Sequence, residues 1–429
     1  MDFYQLNLAV FVATNGYLLY RQYNSNSNKK TKEDIDLSLA GSADLETAEK
    51  RPDGGAARRF QFNFFLPYAL AVAADWLQGP HIYAIYKYEK NLPEKMVAAL
   101  YAAGFVSGGS APPLLVDWLI DLGGNERVSV MYCGLYMITC LTMLSDSLLV
   151  LFFGRLTGGV STTLLFSVFE AWMISTYHEQ GLHTSGLELS TVFGNMTTLS
   201  CMVAIASGVF GDVLVTYSGT RTWPFMASCL CCVGAAFLIS KIWNENFGKR
   251  SSEQTSLQDL KSGLSAILGD AKIMSLGITS CVFEGTMYLF IFFWSAALAS
   301  ARSQVGSTDD LPFGLIFSSF MCAMMTGSAI FTLQTSTKTV QSTTDMLMTV
   351  TLVGCVGAYF PSMAHLKSEL IEDGIRGRVY SILRFPLNVF VVVAHSLDVE
   401  GDAHRNHVFL ACASLLLVAF LVSRRYLVQ

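Results

Sequence analysis

Apolar residues in this chain come in long runs, and polar residues are confined to short breaks between them. Windows long enough to cross about 30 Å of hydrocarbon recur at 3–20, 62–84, 96–116, 129–148, 149–174, 191–213, 222–243, 273–298, 312–333, 343–361, 377–397 and 406–423. Two stretches interrupt the series. Residues 21–59 mix both charge signs with Gly and Ser and read as a disordered linker. Residues 244–272 carry a few alternating charges, with one short interfacial helix expected near 257–268, and divide the chain near its middle. The pattern predicts an extra helix at 1–20, a linker at 21–59, a six-helix bundle at 60–243, a central loop at 244–272 and a second bundle at 273–429. Two bundles joined by an intracellular loop is the plan of many secondary transporters.

Composition sharpens this picture. Of 429 residues 52% are hydrophobic and 14% charged, where a soluble domain carries about 25% charged. Lipid removes the need for a polar exterior, so the fold class is an all-α polytopic membrane protein. The formal charge of −5 is small and dispersed, which gives no basis for nucleic-acid binding. Cys133, Cys140, Cys201, Cys229, Cys231 and Cys232 lie in apolar runs and read as buried free thiols, without the spacing of a metal site. The seven histidines form no catalytic or metal-binding pattern, and His404 with His407 reads as a solvated loop pair. No enzyme and no cofactor is expected. The start, MDFYQLNLAVF, lacks a basic n-region and reads as a retained helix.

The most informative residues are ionisable groups inside apolar windows, because a charge there costs several kcal/mol unless it faces a partner or water. Asp75, Glu170, Glu284 and Arg384 are the candidates for a substrate pathway or for coupling. Arg384 suits an anionic substrate, since a guanidinium stays charged and donates a fork of hydrogen bonds; a structural pair with Glu284 or Glu170 is the other reading. Glu170 and Glu284 suit a coupling proton or, equally, helix-to-helix hydrogen bonding. Asp75 precedes Trp76 and Pro80 where a helix can kink, and suits either a pathway lining or a local bond. Arg155 opens its helix and reads as a gate or interface residue. Asp117 follows an apolar window, and a carboxylate at a helix C-terminus needs an answering cation; with Arg127 it suggests a gating latch. Glycines such as Gly104, Gly108, Gly158 and Gly159 allow close helix packing.

The stretches AADWLQGPHIYAIYK (73–87), GRLTGGVSTTLLFSVFEAW (154–172), FEGTMYLFIFFW (283–294), PFGLIFSSFM (312–321), YFPSM (359–363) and LRFPLN (383–388) together resemble the major facilitator superfamily, and within it the molybdate-anion transporter group. The resemblance implies a two-bundle fold with an added N-terminal helix, and uptake of molybdate by alternating access. It further implies a monomer, and the plasma membrane is the default site. Asp117 falls at the acidic position of the loop after the second core helix, but basic residues are sparse around it. A second departure is larger. Five windows follow the central loop where the superfamily has six, and the shortfall lies between Phe331 and Cys355. With five crossings, Lys367, Arg376, Arg378 and Arg424–Arg425 fall outside; with one more they return to the inner side, as basic residues prefer. The bundle one helix short suggests a shortened form, for which a transport-inactive or scaffold protein is the alternative to a working transporter.

Overall fold

The computed structural model describes residues 2–40, 54–110, 113–182, 187–246, 264–306, 310–334, 340–353, 355–371, 376–399 and 401–427. The described elements are helical throughout: α1 (Phe3–Ala40), α2 (Gly54–Gln78), α3 (Glu94–Ser110), α4 (Pro113–Thr142), α5 (Leu148–Glu179), α6 (Leu189–Ser218), α7 (Trp223–Ile242), α8 (Ala271–Gln304), α9 (Phe313–Gln334), α10 (Val340–Val353), α11 (Val356–Leu370), α12 (Arg376–Ser396) and α13 (Asp402–Tyr426). Irregular turns at 79–89 connect α2 towards α3. The protein is an all-α polytopic membrane protein. Among the described residues α5, α7, α8, α9, α13 and the 191–218 part of α6 are long and apolar enough to span a bilayer by composition alone. The remaining helices complete the bundle around the charges they carry.

The linker expected from residue 21 begins as helix, because α1 runs on to Ala40. No Gly or Pro occurs between Tyr17 and Ala40 to stop it, and 41–53 lie outside the described residues. Of the interfacial helix expected near 257–268, residues 264–269 are helical.

The two halves share one packing plan. In the first, α2 packs on α6 and α7, α3 on α5, and α4 on α5 and α7. In the second, α8 packs on α12 and α13, α9 on α11, and α10 on α11 and α13. The halves meet where α6 crosses α9 and where α3 crosses α12, the same pairing exchanged between them. The α6–α9 crossing is close enough that a Cβ on Gly314 would collide with the Gly208 carbonyl, so small residues there are a packing requirement. The added helix α1 belongs by contact to the second half. It lies on α9, where Asn15 Nδ2 donates to the Cys322 carbonyl at 2.9 Å and Thr326 Oγ1 donates to Asn15 Oδ1 at 3.2 Å.

The shortfall read from the sequence takes the form of two short helices. The single crossing expected at 343–361 is instead α10, ending at Val353, and α11, starting at Val356, of 14 and 15 residues. At about 1.5 Å per residue each is roughly 21–22 Å long, short of a ~30 Å hydrocarbon layer. Their first-half counterparts α4 and α5 have 30 and 32 residues. Lys367 Nζ, near the end of α11, bonds Ser280 Oγ near the start of α8 at 3.1 Å. Ile371 shares a cluster with Ile267 and Ile273. Cys355, at the turn, lies against Gly327 of α9. The end of α11 therefore lies on the central-loop side. Thr279 Oγ1 and Ser423 Oγ, 2.8 Å apart, bring the end of α13 to that same side.

Candidate transport pathway

The first-half wall is built on α2. Pro67 lies inside this helix, and short helical turns follow it from Gly79 to Glu89. Asp75 accepts a hydrogen bond from Tyr136 Oη of α4 at 2.8 Å, and Arg155 of α5 lies within electrostatic reach of it. Tyr68, about two turns earlier, is an electrostatic neighbour of both Asp75 and Glu170. Trp76 Nε1 donates to Ser200 Oγ of α6 at 3.3 Å, while its ring meets Phe317 of the other half at 5.8 Å. Glu170 is half-buried.

Arg155 is half-buried at the contact between α5 and α3. Its Nε donates to the Leu100 carbonyl at 3.3 Å, and its guanidinium lies 5.4 Å from the Tyr101 ring centroid, an attractive placement over an aromatic face. Small neighbours make room for it, since a Cβ on Gly104 would collide with its Nη2.

The second-half wall carries a matching acid. Glu284 of α8 accepts from Ser280 Oγ at 2.7 Å and from Tyr359 Oη of α11 at 3.2 Å. The Tyr359 ring stacks on Phe283 at 3.8 Å. Since Lys367 donates to the same Ser280 hydroxyl, one polar chain joins a cation, a hydroxyl, a carboxylate and a phenol. Each half therefore holds a carboxylate on its first helix against a tyrosine of a later one. A carboxylate bonded in this way is fixed in direction and shielded from lipid. Arg384 is carried by α12, and Asp117 by α4; their side chains lie outside the described residues.

Of the latch expected of Asp117 and Arg127, the side chain of Arg127 alone is described. Arg127 pairs with Glu245 at 3.6 Å. Glu245 also accepts from the backbone N–H of Glu126 at 3.0 Å, and Asn125 Nδ2 donates to Asn246 Oδ1 at 2.6 Å. Gly124 permits this: its φ of +76° breaks α4, and a Cβ there would run into the Glu245 carboxylate. The carboxylate thereby sits at the fresh N-terminus of the 125–142 helix, where a negative charge is favourable.

On the side away from the central loop the halves are sealed. An aromatic plug brings Tyr101 and Phe105 of α3 together with Phe292 and Tyr288 of α8 and His395 of α12; Tyr101 and Phe292 are 5.0 Å apart and Tyr101 stacks on His395 at 6.3 Å. Above it, Arg221 bridges Glu89 and, across the halves, Asp310, each at 3.5 Å. Arg405 reaches across to Glu94 at 3.9 Å. The inter-half contacts named here, including the Gly314 N–H to Asp212 bond at 3.3 Å, lie towards this far side. The structure is closed there.

None of these far-side residues stood out in the sequence as a site candidate. His404, read as solvated, instead pairs with Asp398 at 3.4 Å.

A family model described as sugar transporters with 12 TM matches residues 39–377. The chain belongs to this family of the major facilitator superfamily. It is a secondary membrane transporter and not an enzyme. The chain is 31% identical to a molybdate-anion transporter of Xenopus tropicalis over 85% of each protein. It is 29% identical to that of Xenopus laevis, over 90% of this chain and 91% of the relative. Among solved structures its fold is like that of the nucleoside transporter NupG, with a TM-score of 0.66 at 13% identity over 86% of this chain and 99% of the other. A bacterial homologue of the iron transporter ferroportin, in an inward-facing state, gives 0.62 at 14% over 87% and 99%. These likenesses carry the fold alone.

Proposed function

We propose that this transporter moves an oxyanion, molybdate, across the plasma membrane by alternating access of its two halves. The observation that carries the substrate is the likeness to molybdate-anion transporters over nearly the whole chain. The far-side seal supports alternating access, because a pathway closed at one end by contacts between two similarly packed halves opens by rocking one half against the other.

Arg155 is the first-half contact for the anion. It makes no ion pair among the described residues, so its guanidinium retains donors for tetrahedral oxygens. Arg384 is the second-half candidate. A dianion passing Asp75, Glu170 and Glu284 meets repulsion unless these acids are neutral or paired. Uptake is therefore coupled to protons, with Glu284 or Glu170 as the carrier. The Gly124–Glu245 clamp holds the central-loop side of the first half and supports a gating role for Arg127.

The test is accumulation of molybdate in transport-deficient cells expressing the chain, beside Arg155→Ala and Arg384→Ala versions at matched surface abundance. Uptake by the parent that collapses in both variants supports the reading. Unchanged uptake in both removes the arginines as ligands. No uptake by the parent, despite its presence at the membrane, favours a transport-inactive protein, a reading that the shortened α10–α11 hairpin supports.

A further inference from the structure

The aromatic plug of the far-side seal encloses one imidazole. His395 lies near the end of α12 in the second half, 4% exposed, and its ring is packed by both halves. Tyr101 and Phe105 of α3 come from the first, with ring centroids 6.3 and 5.9 Å away. Phe292 of α8 comes from the second, at 4.8 Å. The two ring nitrogens have different surroundings. Nδ1 is 2.7 Å from the Val391 carbonyl. A carbonyl only accepts, so Nδ1 carries the N–H and Nε2 keeps its lone pair. Nε2 is buried and has no hydrogen-bond partner.

A proton on Nε2 would create an imidazolium whose second N–H has nothing to donate to, and a buried charge without a partner is costly. The Tyr101 ring offers it little, because the Arg155 guanidinium already lies 5.4 Å from the same centroid. Parting of the halves takes Tyr101 and Phe105 away from Phe292 and His395, and water then reaches Nε2. We propose that His395 is the proton sensor of the far-side gate: Nε2 is bare when the plug is shut and takes a proton from the far-side medium when the plug parts. The step is proton exchange with water, which adds one positive charge to the ring, and reclosing returns that proton to the same side. The proton therefore sets how often the far side opens and is not carried across, unlike a coupling proton on Glu284 or Glu170. The inference rests on alternating access and not on the identity of the cargo.

The other titratable groups come from the elements packed against α12. Helix α3 brings Tyr101 and, at its start, Glu94. Helix α8 brings Glu284 and Tyr288, the latter 4.8 Å from Phe105. Asp398 follows α12, and its N–H donates to the His395 carbonyl at 3.3 Å. Glu94 and Asp398 lie 3.9 and 3.4 Å from Arg405 and His404, and Nε2 bonds to neither acid. The shut state thus binds one proton fewer than the open state, in which the hydrated ring titrates near its ordinary value of about 6.5. The shut plug keeps its full stability above that range and loses it as pH falls. Buried acids at the seal would act with the opposite sign, so the direction of the response separates them from the histidine.

The measurement is the distance between nitroxide labels at Met96 and Asn406, exposed positions on α3 and α13, in the full chain in liposomes without substrate. The labels are introduced through a non-natural amino acid, which leaves the native cysteines untouched. From pH 8 to pH 5.5 the open-to-shut ratio of the parent should rise about tenfold, the effect of one group with a pKa of about 6.5 that is protonated in one state alone. His395→Phe, which keeps a ring in the plug without its nitrogens, should hold the ratio constant. His395→Gln should do the same, and it keeps the test decisive if the Phe variant fails to fold. A ratio that climbs in a folded variant as it does in the parent, or a parent ratio that ignores pH or rises with it, overturns the proposal and leaves alternating access standing. A single distance in the parent under every condition would overturn both.

Discussion

The α4–α5 hairpin of the first half and the α10–α11 hairpin of the second occupy equivalent places and solve different problems. The first pair is long: α4 is broken at Gly124 and clamped by Glu245, and α5 carries Arg155 and Glu170 on the same helix. The second pair is half as long, with 14 and 15 residues, yet α11 still packs on α9 and α8 as α5 packs on α3 and α2. What it retains is the segment that faces the pathway, with Tyr359 on Glu284 and Lys367 on Ser280. What it lacks is length towards the far side. A half-bundle can therefore shorten its outer hairpin, provided the contacts that hold its membrane carboxylate survive.

The strongest test of this equivalence is steric. A Cβ at Gly357 would collide with the Met324 carbonyl, just as one at Gly159 would collide with that of Gly104. Gly357→Leu and Gly159→Leu should each abolish monodisperse elution in detergent, whereas Gly134→Leu, with open space at its Cβ, should not. If Gly357→Leu elutes and melts like the parent, the short hairpin does not pack as its long counterpart does.

A somewhat smaller loss is expected at Arg155. Arg155→Ala should lower initial uptake at least tenfold at matched abundance, since a cation inside the membrane has no exposed substitute; Arg155→Lys should retain part of it. Equal uptake by the alanine variant would move the anion contact out of the first half.

Gly124→Ala forces a side chain into a backbone region favoured by glycine and into the Glu245 carboxylate. A cost of about 1–3 kcal/mol is expected, read as a lowered melting temperature. Glu245→Gln should lose part of the same stability without strain. A Gly124→Ala protein as stable as the parent would remove the clamp.

The finest comparison is between the two phenols. Tyr136→Phe and Tyr359→Phe each remove one hydrogen bond to a membrane carboxylate, worth about 1 kcal/mol or somewhat more for a charged acceptor. Equal losses of stability and of uptake would mark the two acids as equivalent in function. A drop in uptake from Tyr359→Phe alone would assign coupling to the second half.

Much of the architecture was legible in the sequence, because windows such as 149–174 and 273–298 are bounded by polar breaks and have the length that a bilayer demands. The division into α10 and α11 was not. Residues 350–360, VTLVGCVGAYF, contain no polar break, so two short helices and a continuous span look alike to hydropathy. Asp75 and Glu284 stood out as charges in apolar surroundings, but their partners Tyr136 and Tyr359 did not, since a tyrosine in a membrane helix reads first as packing. The far-side acids were missed for the opposite reason. Glu94 and Asp398 sit at a helix start and in a loop, where charge is ordinarily solvated, and only the approach of the two halves buries them. Aromatic residues at 101, 105, 288 and 292 carried the remaining signal, at helical spacing on two separate helices, and nothing in one sequence says that those faces meet.

The most direct test of the central account is a reversible tether across the seal. Arg221→Cys and Asp310→Cys, placed on the bridge between the halves, would be joined by a short cleavable bis-maleimide linker while molybdate uptake is followed. Alternating access predicts that uptake stops when the tether forms and returns when it is cut, with each single variant unaffected by the reagent. Uptake that continues through a completed tether would contradict it.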